Sequence, residues 1–131
     1  MRADDGRMRR RTGLVELVHE EGPALFTFLL AAGFEGPERI SDGIAYHRMG
    51  LHIEIGHHGG REPELGTVVV RGDRRQSLAD LYTAAGCGPA QDVPSNAHSP
   101  ALVRTRLRQQ AAALQRLLPT LLPGEAVGGG G

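Results

Sequence analysis

Apolar positions change their period along the chain. Leu14, Val15, Leu17, Val18, Leu25, Phe26, Phe28, Leu29 and Leu30 recur at helical spacing, with Thr12 placed as an N-cap. Gly22-Pro23 falls inside this run. Proline has no amide to donate and clashes with the preceding turn, so two short helices or one kinked helix are predicted, closed by Gly33 as a left-handed C-cap. Between residues 40 and 71 the pattern alternates instead. Met49-Gly50 serves as a two-residue hairpin turn, which sets Arg48 opposite Leu51, His47 opposite His52, Tyr46 opposite Ile53 and Ile44 opposite Ile55. One face of that hairpin is Ile44, Tyr46, Leu51, Ile53 and Ile55, and the other is Ala45, His47, His52 and Glu54.

A glycine-rich loop, His57 to Gly66, leads to a valine-rich strand, Thr67 to Arg71. Ser77 followed by Asp80 predicts a capped short helix ending at Gly86, and residues 87–99 have the Pro, Asn, Ser and Gly content of a loop. Ser99-Pro100 is a helix start with serine as N-cap and proline in the first turn. Beyond it Val103, Leu107, Ala111, Leu114, Leu118 and Leu121 form one stripe, with Arg104, Arg108, Gln115 and Arg116 mainly off it. Pro123-Gly124 stops this helix.

These elements predict an α+β fold: an antiparallel sheet of three to four strands, covered on one face by the N-terminal helices and the long C-terminal helix. The expected core is Leu17, Phe26, Leu29, Leu30, Ile53, Ile55, Val68, Val70, Leu81, Val103, Leu107, Leu114 and Leu118. Residues 13–124 read as one domain, between a flexible tail at 1–12 and a disordered glycine-rich tail at 125–131. A length of 131 residues suits one core, and with 4% aromatics that core must rest on Leu, Val, Ile and Ala.

Fifteen basic residues balance fifteen acidic ones, so no net field draws the chain to nucleic acid or to a membrane. All the basic residues are arginine, which excludes lysine nucleophiles and Schiff bases and, with the many Gly and Ala, suggests a high-GC bacterial coding sequence. The apolar run Ala24 to Ala32 follows Arg9 to Arg11, but Glu16, Glu20 and Glu21 intervene where a signal peptide carries almost no acid, and the run is too short to span a bilayer. A lone cysteine, Cys87, fits a reducing, cytoplasmic setting.

The candidate chemistry centres on YHRMGLHIEIGHH, residues 46–58. His47, His52 and Glu54 share a hairpin face, with His57 and His58 just past the strand end. Cross-strand β-carbons about 5 Å apart let two imidazoles share a metal, and zinc is the first choice for such ligands. The competing reading is the solvated polar face that a half-buried sheet needs, with no cofactor. Cys87 lies at a helix end beside Gly86 and Gly88 and has no base, and Ser41, Ser77, Ser95 and Ser99 lack a nucleophile-elbow context, so no catalytic residue is assigned. Arg71, Arg74 and Arg75 flank a strand end and a helix start, where they could bind an anion or an acidic partner. With Arg61, Glu62 and Glu64 in the preceding loop they form the candidate partner-binding set.

The order of "FLLAAGF" (residues 28–34), "AYHRMGLHIEI" (45–55), "GREPELG" (60–66), a strand and "SLADL" (77–81) resembles small bacterial α+β proteins of the immunity-protein type, over roughly residues 14–118. The resemblance implies a protein that binds and neutralises a cognate toxin in the cytosol, or an adaptor; it carries over no binding residues. Three functional expectations follow. The first is a non-catalytic protein-binding module, immunity-like. The second is a metal-dependent enzyme or metal-binding protein using the histidine hairpin. The third is a homodimer formed through a second apolar stripe on the C-terminal helix.

Overall fold

The computed structural model describes the backbone of residues 2–122 and the side chains of residues 13–122. In chain order it contains α1 (Arg2–Leu25), α2 (Thr27–Ala31), β1 (Glu35–Ile40), β2 (Gly43–Arg48), β3 (Leu51–His58), β4 (Glu64–Arg71), β5 (Arg74–Ser77), α3 (Leu78–Ala84) and α4 (Pro100–Leu121). The expected tail at 1–12 overlaps the start of α1, and the one at 125–131 lies outside the described residues.

The sheet is an antiparallel meander of five strands in sequence order, β1 to β5, rather than three or four. The two additions are its edges. β1 is exposed along nearly its whole length and is interrupted by a register shift between Glu35 and Glu38, and β5 has only four residues, RRQS. A bulge, a proline, charges and shortness all blunt an edge against pairing with other chains. The centre follows the alternation: His47 pairs with His52, Tyr46 with Ile53 and Ile44 with Ile55. Met49 and Gly50 both have positive φ, as the tight twist-matched hairpin turn requires.

α1, α3 and α4 cover one face. Val18, Tyr46, Ile53, Ile55, Leu65, Val69, Val103, Leu107 and Leu114 belong to the single core cluster formed there. α4 starts as the sequence dictates, with Ser99 Oγ accepting from Leu102 N at 3.2 Å and Pro100 in its first turn. It buries Val103, Leu107, Ala111, Leu114 and Leu121 together with Gln110, Ala113 and Leu117. Its exposed positions are Pro100, Ala101, Arg104, Arg108, Ala112, Gln115, Arg116, Pro119 and Thr120, none of them a large apolar side chain.

Three expectations need correction. α1 runs through Pro23, and the break comes at Phe26. Gly22 is buried, and a β-carbon there would stand 2.8 Å from Ile44 Cδ1, so this glycine lets the helix approach β2 rather than ending the helix. Leu30 is exposed at 44%. Val68 and Val70 point to the uncovered face, because Glu54 pairs with Val68 and His52 with Val70; Thr67 and Val69 take the core positions instead. No described helix is long and apolar enough to cross a membrane.

One core residue carries an unpaired group. Tyr46 is fully buried, its ring 6.5 Å from that of Phe26, and its hydroxyl has no hydrogen-bond partner among the described residues. Burial pushes the phenol up to about 12. Tyr46→Phe is therefore expected to be stabilising by about 1 kcal/mol, because it removes a desolvated hydroxyl that gains nothing in return. The pH dependence has a defined sign. The unfolded phenol ionises near 10 while the folded one stays neutral to about 12, so stability is fully present below pH 10 and falls as pH rises through that window. Urea denaturation at pH 7 and at pH 11 checks both points: the variant should match or exceed the wild type at pH 7 and lose less at pH 11.

Candidate functional site

The face of the sheet turned away from the helices carries a continuous polar row. Strand pairing places Ala45 and His47 of β2, Glu54 and His52 of β3, Val68 and Val70 of β4, and Ser77 and Arg75 of β5 on this face, with Glu38 of β1 beside Ala45. His47 Nε2 donates to Glu38 Oε1 at 2.9 Å. The Nδ1 atoms of His47 and His52 face each other at 2.7 Å. His52 Nε2 donates to Glu54 Oε2 at 2.8 Å, and Arg75 Nη2, reaching across β4, donates to Glu54 Oε1 at 2.9 Å. Five side chains on four strands thus form one hydrogen-bonded chain. The two imidazole rings lie 4.4 Å apart.

Proton positions follow from these partners. Each Nε2 faces a carboxylate and so carries a hydrogen. The short contact between the Nδ1 atoms then holds one more proton, donated by one ring and accepted by the other. All four ring nitrogens are engaged. Burial pushes the Glu54 carboxyl up, but hydrogen bonds from Arg75 and His52, together with their charges, outweigh it and hold the group below its ordinary value.

The other histidines of the hairpin segment leave this group. Both lie inside β3, which continues to His58. His57 falls on the helix-covered side, is buried, and donates through Nε2 to Ala97 O at 2.8 Å. His58 pairs with Asp42 at 2.8 Å. The structure therefore brings together His47, His52 and Glu54 of the five candidates. Among the described residues no group of three or more His, Cys, Asp or Glu is placed to hold a metal ion.

The six candidate partner-binding residues divide between the two ends of β4. At its far end Arg71 Nη2 donates to Leu121 O at 2.9 Å, where it satisfies a carbonyl at the end of α4, while Arg75 joins the polar row and Arg74 is exposed. At its near end Arg61 and Glu62 are exposed, and Glu64 accepts from Ser95 Oγ at 2.8 Å. The seven steps of strand between Glu64 and Arg71 span roughly 23 Å, so these two groups are separate patches. Glu62, Pro63 and Glu64, with Pro94, Ser95 and Asn96, also line a shallow hollow of about 350 Å³.

A second hollow, about 330 Å³, lies where β5 leaves β4, between Ser77, Gly66 and the loop at Val93 to Ser95, with Gln110 at its base. Its polar side chains are engaged in the fold: Ser77 caps α3 through Asp80 N, and Gln110 bonds to Thr67 Oγ1 and to two carbonyls. Cys87 is partly buried, with Sγ 4.0 Å from Arg116 O. Two participants escaped the sequence reading. Glu38 sits in EGPERI, whose bulge hides any alternation, and Asp42 sits in the turn after it. Compared with protein families, with curated proteins and with solved structures, the chain matches none.

Proposed function

We propose that this chain is a non-catalytic protein-binding module, an immunity-like inhibitor of a toxin or an adaptor, working in a reducing cytosol and docking through the uncovered face of its sheet. The observation that carries this reading is the closed polar row. A general base needs a nitrogen free to take a substrate proton, and here each ring nitrogen of His47 and His52 already has a protein partner. The same row suits recognition. It sits on strands rather than loops, it fixes the directions of its side chains through one another, and it runs from an acidic end at Glu38 to a basic end at Arg75.

Partly buried Val68 and Val70 supply apolar area beside these charges, the mixture that a protein interface uses. The test is co-purification from the native cytosol followed by reconstitution of the isolated pair. A single protein should bind stoichiometrically to the wild type and at least tenfold more weakly to Arg75→Glu and Val70→Asp, with both variants folded by circular dichroism. Turnover of an ester, phosphodiester or peptide by the purified chain, abolished in His52→Ala, overturns the reading.

A further inference from the structure

The geometry points to a divalent-cation site made by the facing Nδ1 atoms of His47 and His52, for an imidazole-preferring ion of the nickel(II) or copper(II) class. Three features argue for it. First, both rings present the same nitrogen to each other, and the two atoms are 2.7 Å apart. At a metal–nitrogen distance of about 2.0–2.1 Å, two ligands at a right angle stand about 2.9 Å apart and two at the tetrahedral angle about 3.3 Å. The pair is thus within a few tenths of an ångström of right-angled ligation and further from the tetrahedral arrangement that zinc prefers.

Second, each ring is already oriented from behind, His47 by Glu38 and His52 by Glu54, through Nε2. A carboxylate on the far nitrogen keeps a hydrogen there and makes the near nitrogen more basic, so that both Nδ1 atoms can ligate once the proton between them is displaced. Glu54 is therefore a supporting group rather than the ligand that its position in the sequence suggests, and the same holds for Glu38. Third, the site is open. The His47 and His52 side chains are 46% and 28% exposed, so solvent can complete the coordination.

Protons balance simply: the cation replaces the proton shared between the two Nδ1 atoms, and that proton passes to the buffer. Arg75 lies beyond Glu54, which neutralises it. Two protein ligands make a modest site, in keeping with a cation that is exchanged and with a surface that also docks a partner.

The experiment is calorimetric titration of the full, tag-free chain with nickel chloride, repeated in two buffers of different ionisation enthalpy. The expected result is about one ion per chain, with about one proton released per ion. Affinity should fall at least tenfold in His47→Ala and in His52→Ala, fall about tenfold in Glu38→Gln, and stay unchanged in His58→Ala. Amide signals broadened by the paramagnetic ion should cluster around residues 47 and 52. Absence of saturable binding, or binding that survives in the His47→Ala/His52→Ala double variant, overturns the proposal. Because no partner is present, the result does not depend on the docking reading above.

Discussion

Gly43→Ala is expected to destabilise the protein by about 4 kcal/mol or to leave it unfolded, at the extreme end of what single substitutions do. Gly43 opens β2 in the middle of the sheet, paired with Ile40 on one side and with Gly56 on the other. A β-carbon there would fall inside the Ile55 carbonyl oxygen and 2.7 Å from Gly56 Cα. Both obstacles are backbone, so no side-chain rotation relieves them. Relief requires β2 to move away from β3, against the register that sets Ile44 and Tyr46 into the core and His47 against His52.

The row of paired glycines across the sheet supplies its own controls. At Gly56 the added carbon would meet Asp42 atoms at 3.2 Å, part of them a movable carboxyl, and about 1 kcal/mol is expected for Gly56→Ala. At Gly66 it would meet nothing within 4 Å, so Gly66→Ala should be neutral or stabilising by about 0.5 kcal/mol. Urea denaturation of the three variants checks the order. Equal midpoints for Gly43→Ala and Gly66→Ala would mean that strands β2 and β3 do not approach as closely as described.

The same hairpin shows which features the sequence makes legible. Between residues 43 and 56 each strand alternates cleanly and the turn has only one good length, so pairing, faces and the meeting of His47 with His52 all follow from the pattern. In β4 the run of three valines has no alternation, and only its pairing with β3 decides that Val69 goes inward while Val68 and Val70 go outward. Glycine misled for a similar reason. Gly22 beside Pro23 has the composition of a helix end, yet a glycine also lets backbones approach, and only the position of Ile44 distinguishes the two roles.

The candidate site was half legible on the same grounds. Its histidines and Glu54 lie on the legible hairpin. Glu38 and Arg75 come from the irregular edge strands, and His57 changes sides because β3 extends two residues further than the glycine-rich loop suggested. What the sequence could not convey is partnership. A polar face that is merely solvated and one that is a connected chain have the same alternation, and they differ only in the distances between the ends of the side chains.

Gln110 is the other place where tertiary partners decide the outcome, and Gln110→Leu is expected to lower stability by about 2–4 kcal/mol despite its similar size and greater hydrophobicity. The side chain is 1% exposed on the buried face of α4. Its Oε1 accepts from Thr67 Oγ1 at 2.8 Å, and its Nε2 donates to Leu65 O at 2.8 Å and to Pro94 O at 3.2 Å. The need for it follows from the topology. β5 pairs with β4 only from Val68 to Arg71, so the Leu65 carbonyl, on the side turned away from β3, has no strand to receive it. Gln110 completes that edge and ties the loop at Pro94 to it.

Leucine would leave the Thr67 hydroxyl and two carbonyls without this partner in a buried setting, and the loss of those bonds outweighs the gain in apolar contact. Thr67→Val should lower stability by about 1–2 kcal/mol, since it strands Gln110 Oε1. The double variant should then be less destabilised than the sum of the two, because removing both partners together takes away the hydroxyl–amide mismatch that each single change creates. Urea denaturation of the two single variants and the double variant measures the coupling. Simple additivity would show that Thr67 and Gln110 do not act as a pair, whereas a deficit that remains in the double variant isolates the carbonyls of Leu65 and Pro94 as the part only glutamine satisfies.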